Sequence, residues 1–159
     1  MTTQTRALPH DPYITAVCDA LTAAGLEPAD HFTDDSDTAG SHRYLRAVIT
    51  LDPDISGIDA ARWPDGLILI WEWHTGIEAE NGEPERGPVW EWARLVDPHG
   101  QCGERLAFTA LGYPSPAYVM ESVRALIERR NQSVPAERWE RADELDAACE
   151  AWGVEEASA

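Results

Sequence analysis

At 159 residues, with 43% hydrophobic and 26% charged side chains, the chain has the size and composition of one globular domain, which excludes wholesale disorder. Twelve basic residues stand against 29 acidic ones, a formal net charge of −17. A chain of that sign repels phosphate at long range, so neither direct nucleic-acid binding nor an anionic membrane surface is expected. Every basic residue is an arginine, which with the abundance of Ala, Asp, Glu, Gly and Pro reads as the coding bias of a GC-rich genome. Three widely spaced cysteines, Cys18, Cys102 and Cys149, with no C-x-x-C pair, fit reduced thiols better than a disulfide framework or a zinc site. No apolar run follows Met1 and the longest one, Leu67 to Trp71, is too short to span a bilayer, so the expectation is a cytoplasmic protein without a signal peptide.

Asp11-Pro12 opens the first element with a capping residue and a proline, and Ile14, Val17, Cys18 and Leu21 then form one helical stripe that ends at Gly25. Glu27 to His42 carries Asp30, Asp34, Asp35 and Asp37 without an arginine and reads as a loop. From Arg43 the period switches to two: Leu45, Ala47, Ile49 and Leu51 alternate with more polar neighbours, as in a half-buried strand. Pro53, Gly57 and Pro64-Asp65-Gly66 punctuate an irregular connection. Leu67 to Trp73 and Val89 to Val96 are the next two strands, Asp97-Pro98-His99-Gly100 a turn, and Arg105 to Ala110 a fourth strand. Ser115-Pro116 starts a second helix reaching about Arg130, and Pro135 a third, with Trp139, Ala142, Leu145, Cys149 and Trp152 on one face. The expected fold is α+β: an antiparallel four-strand meander covered by helices, in the order α-β-β-β-β-α-α. Residues 11–153 form its single domain, between a flexible stretch over 1–10 and a flexible acidic one over 154–159.

Trp71-Glu72-Trp73 and Trp90-Glu91-Trp92 flank Asn81-Gly82, a strong two-residue hairpin signal. A turn there sets Trp71 opposite Trp92 and Trp73 opposite Trp90, all four on one sheet face. That face is either a core layer under the helices or an aromatic surface for a partner. Nearer the tip the same register opposes Glu78 to Glu85 and Glu80 to Glu83, and like charges facing across strands are destabilising. Pairing should therefore fray beyond about Gly76 and Gly87 and leave a mobile acidic arm. A third acidic zone runs from Glu137 to Glu156.

The histidines show neither H-x-x-x-H nor H-E-x-x-H spacing, and Asp35-x-Asp37-x-Ala39-Gly40 departs from a calcium loop at Ala39 and Arg46. No phosphate loop, G-x-G-x-x-G or G-x-S-x-G is present, so neither cofactor nor metal is expected. His74 shares a strand face with Glu72, which could pair a base with a carboxylate, and Cys102 sits between glycines in a turn.

Pro12-Tyr13, Ala16-Val17, Ala20-Leu21 and Ala23-Ala24-Gly25-Leu26, with a tryptophan-bearing strand and a late helix opened by Ser115-Pro116, resemble uncharacterised small acidic proteins of GC-rich actinobacteria and their phages or mobile elements. The resemblance covers about residues 11–130 and implies an origin without an activity. The leading expectation is a non-enzymatic, acidic protein-binding or regulatory protein, with a basic partner or a second copy of itself. Its binding residues would be Trp71, Trp73, Trp90 and Trp92 together with Glu78, Glu80, Glu83 and Glu85. A nucleic-acid mimic that inhibits a DNA-binding or defence protein is one alternative, and a small hydrolase or metal enzyme using His74 and Glu72 is another.

Overall fold

Sequence order and spatial order coincide in the sheet, where each of five strands runs antiparallel to the one before it. They are β1 (Asp30–Asp37), β2 (Arg43–Leu51), β3 (Leu67–His74), β4 (Gly87–Arg94) and β5 (Leu106–Ala107). Helix α1 (Asp11–Ala23) precedes them, and α2 (Pro116–Glu128) and α3 (Ala142–Ser158) follow. This computed structural model describes residues 8–37, 43–77, 80, 82–83, 85–108 and 112–158. Glu78, Asn81, most of the N-terminal stretch and Ala159 lie outside the described residues.

Alternation explains which face of the sheet is dry. Leu45, Ala47, Ile49 and Leu51 of β2 and Leu67, Leu69, Trp71 and Trp73 of β3 are all buried, as two-residue periodicity requires of a face under a helix layer. Against them pack Tyr13, Ile14, Val17 and Leu21 of α1, Val119 and Val123 of α2, and Leu145, Cys149 and Trp152 of α3. Trp139 and Trp152 belong to this same cluster: Trp152 meets Trp73 edge-on at 6.5 Å, and Trp139 lies 4.9 Å from Tyr13.

The fold is α+β and antiparallel as expected, but with five strands rather than four. The extra strand, β1, is the acidic stretch expected to be a loop. Only Phe32 in it is a large apolar residue, so periodicity carries no signal; the pairing is made by tertiary contacts. Arg46 donates to both oxygens of Asp34, at 3.1 and 2.8 Å, and its guanidinium lies over Phe32 at 5.5 Å. Thr33 Oγ1 donates to Asp11 Oδ1 at 2.5 Å, which ties the strand to the start of α1.

The β3–β4 register is a second correction. Trp71 faces Trp90, Leu69 faces Trp92 and Trp73 faces Pro88, two residues out of step with a turn at Asn81-Gly82. The ladder ends at His74 and Gly87, so a long connection joins the strands and no two-residue turn dictates their alignment. A shift of two preserves the face: Trp71, Trp73 and Trp90 all point into the core, and Trp92 meets Trp63 edge-on at 5.8 Å. Among the described residues the ladder stops before Glu80 and Glu83, so those two do not pair across strands; the expected Glu78–Glu85 pairing lies outside the described residues.

Helix ends follow local chemistry with some departures. Ser115 Oγ accepts from the Tyr118 N–H at 3.1 Å, capping α2 as its sequence predicts. Asp11 lies inside α1 instead of capping it; His10 is the N-cap, and the Asp11 carboxylate accepts from the Leu8 N–H. The third helix starts at Ala142, later than Pro135, because Arg138 and Trp139 are held by Pro114 and Tyr113: the Trp139 N–H donates to the Tyr113 carbonyl at 2.8 Å.

Candidate functional site

The sheet face turned away from the helices carries a charged lattice. β1, β2 and β3 set Asp34, Arg46 and Glu72 side by side, and His74 stands two residues along β3 from Glu72, opposite Tyr44. Glu72 Oε1 contacts His74 Nε2 at 3.0 Å, and Arg105 donates to Glu72 Oε2 at 2.9 Å and to Glu91 Oε1 at 2.5 Å. The Tyr44 ring stacks on His74 with centroids 4.9 Å apart. Glu72 and His74 are buried, at 8% and 4% exposure. Burial opposes ionisation of Glu72, but the hydrogen bonds from His74 and Arg105 outweigh it and hold the carboxyl below its ordinary range. Chemically, this lattice orients an imidazole and fixes a carboxylate, with both oxygens of that carboxylate already engaged.

On the helical side a second polar cluster is threaded into the core. Trp73 Nε1 donates to Tyr113 Oη at 3.1 Å, and Tyr113 donates to Asp146 Oδ1 at 2.5 Å. Arg86 reaches Asp146 at 3.2 Å and Glu150 at 3.1 Å while lying over the Trp73 ring at 5.3 Å. Burial and the hydrogen bond to Asp146 push the Tyr113 phenol up. Burial disfavours the Asp146 carboxylate too, yet Tyr113 and Arg86 hold it low. Cys149 beside them is pushed up to about 12 by burial, so it stays a thiol. Nearby, an open groove of about 220 Å³ runs between α1 and α3, floored by Tyr13, Trp139 and Leu145 and rimmed by Arg141 and Glu144.

The residues expected to bind a partner separate into groups. Trp71, Trp73 and Trp90 are 0%, 1% and 3% exposed, so they form the core layer and not the aromatic surface; Trp92 is half-buried. Glu80 and Glu85 are exposed. Glu83 is buried instead, its carboxylate accepting from Thr75 Oγ1 at 3.1 Å. Strand pairing ends at His74 and Gly87, close to where it is expected to fray, and among the described residues Glu83 and Arg86 are anchored, by Thr75 and by α3.

Sequence reasoning found the Glu72–His74 pair but missed Arg105, Arg46, Tyr44, Tyr113, Asp146 and Arg86. Strand alternation alone could have placed Tyr44 and Arg46 beside the pair. Nothing in the sequence marks Arg105, which reaches Glu72 from outside any long element.

Among the described residues no cluster of three or more His, Cys, Asp or Glu could hold a metal ion, and no helix is long and apolar enough to cross a membrane. Compared with protein-family models, curated proteins and solved structures, the chain matches none of them.

Proposed function

We propose that this is a non-enzymatic protein-binding or regulatory protein whose partner presents a basic surface. One observation carries the reading: seven of the twelve arginines are already paired with carboxylates of the same molecule. Arg46, Arg86, Arg105, Arg124, Arg130, Arg138 and Arg141 each donate to a carboxylate of the same chain. With 29 acidic residues against 12 basic ones, what remains for a partner to meet is a surplus of carboxylates. Such a field speeds encounter with a basic surface and repels nucleic acid. The test starts from a basic protein captured from an actinobacterial lysate and purified. Its association with this chain should be fast at low salt and slow steeply as exposed charges are screened. An affinity and on-rate indifferent to salt would overturn the reading. A nucleic-acid mimic is the special case in which the same partner releases DNA as this chain binds, read by competition.

The Glu72–His74 contact favours a second reading, a small hydrolase. Against it, both Glu72 oxygens are engaged, and the groove between α1 and α3 lies on the other side of the sheet. Turnover of a panel of activated esters that disappears in His74→Gln would establish it.

A further inference from the structure

We propose that the outer edge of β1 is a strand-addition site for an extended basic segment of a partner protein, an inference that rests on the protein-binding reading above. The sheet ends differently on its two sides. β5, at one edge, is two residues long, whereas β1, at the other, runs eight residues and has β2 as its one neighbour. A long edge strand offers a row of main-chain donors and acceptors that templates another strand, and natural sheets shorten, charge or cover such edges. Here one edge is shortened and the other is charged.

The charge selects the occupant. Asp30, Asp34, Asp35 and Asp37 lie along β1, Glu27 precedes them, and no arginine occurs from Glu27 to His42. Asp30, His31 and Phe32 are exposed, and among the described residues the main-chain hydrogen bonds of β1 go to β2. Pairing two copies edge to edge would bring two such rows of carboxylates together, and like charges opposed across strands are destabilising. A strand rich in arginine or lysine meets a net negative edge instead, since the four aspartates of β1 outnumber the one arginine, Arg46, that pairs with Asp34. Asp30, Phe32 and Asp34 share one face of the strand, and His31, Thr33 and Asp35 the other, so the added segment finds carboxylates on both faces. On the first face Phe32, 43% exposed and flanked by the Arg46 guanidinium, supplies an apolar contact between them. Main-chain bonds then give affinity and the alternating side chains give selectivity.

The experiment titrates the full chain with an eight-residue peptide alternating arginine and valine, and with the same peptide N-methylated at every residue. Methylation keeps the charge and removes the main-chain donors. The unmethylated peptide should bind tighter by about tenfold or more, the loss expected from one or two hydrogen bonds. The alternate amides of residues 31–36 that do not bond β2 should gain hydrogen-exchange protection on binding. Asp30→Asn with Asp35→Asn should weaken the peptide further, and the exchange map on the unaltered chain stands whether or not that variant folds. Equal binding of both peptides would overturn strand addition while leaving a basic partner in place. Binding of neither would overturn strand addition, while the salt dependence of the purified partner decides the protein-binding reading separately. A dimer that competes with the peptide, and tightens in the double variant, would assign the edge to a second copy and overturn the proposal.

Discussion

Tyr13 is held from two directions: its hydroxyl donates to the Pro114 carbonyl at 2.6 Å and accepts from Trp90 Nε1 at 3.2 Å, in a site with no exposure. Tyr13→Phe preserves the ring and strands both partners, so it should lower stability by about 1–3 kcal/mol in urea unfolding. His10 gives a prediction of a different kind. It is fully buried, stacks on Trp71 at 5.2 Å, and its Nε2 lies 2.8 Å from the Arg46 carbonyl. Burial lowers its pKa from the ordinary 6.5, outweighing the Arg46 hydrogen bond and the nearby Asp11, Asp34 and Asp35. Below that ordinary value the unfolded chain takes up a proton before the folded one does, so stability is lost as pH falls toward the folded value. Glu72 and Asp146, both held low, add their losses at more acid pH. Unfolding free energies measured across this range should decline from about pH 6.5 downward, and His10→Gln should flatten the upper part of that decline while leaving the lower part.

Between elements, close approach of backbones sets tighter limits than turn chemistry does. A Cβ at Gly66 would lie 2.2 Å from the Leu51 carbonyl oxygen, and one at Gly76 2.7 Å from the Arg86 nitrogen, both at positive φ; at Gly82 it would meet open space. Gly66→Ala and Gly76→Ala should each cost about 1–3 kcal/mol from backbone strain alone, with the clash added, and Gly82→Ala should fall at the bottom of that scale. Thermal melts of the three variants give the order. The same contrast explains what could be read from the sequence. The alternation from Leu45 to Leu51 and the Ser115-Pro116 cap are local, and both elements formed where the pattern put them. β1 was illegible because its pairing depends on Arg46 and Asp11, each distant in sequence. The tryptophan register departs from the one Asn81-Gly82 implies because the connection between β3 and β4 is too long for a local turn signal to set it. Of the charged lattice, the Glu72–His74 pair was visible and its Arg105 clamp was not.

At the scale of the molecule, α3 is part of the core. Trp139, Leu145, Cys149 and Trp152 are all buried, Trp152 against Trp73, and Gly153 lets the helix approach Thr75, whose Cγ2 lies 3.1 Å from where a Cβ would be. Truncation after Asn131 should therefore abolish cooperative unfolding, and Trp152→Ala should cost about 3–5 kcal/mol. An unchanged melt of the truncated chain, followed by circular dichroism, would show the helix to be dispensable. The ion pairs between its first turn and the residues before it, Arg138–Asp143 and Arg141–Glu144, should contribute little to that stability, since solvent screens them.

A sheet in which every strand pairs with its immediate predecessor also dictates an order of assembly. Successive pairings from β1 to β5 close comparatively short loops, so the sheet can zip up hairpin by hairpin at modest entropic cost. The Tyr13–Pro114 bond joins segments that are neighbours only once α1 and the chain before α2 have both arrived, and it closes late. A chevron analysis of Tyr13→Phe should accordingly show the lost stability as faster unfolding, with the refolding rate nearly unchanged.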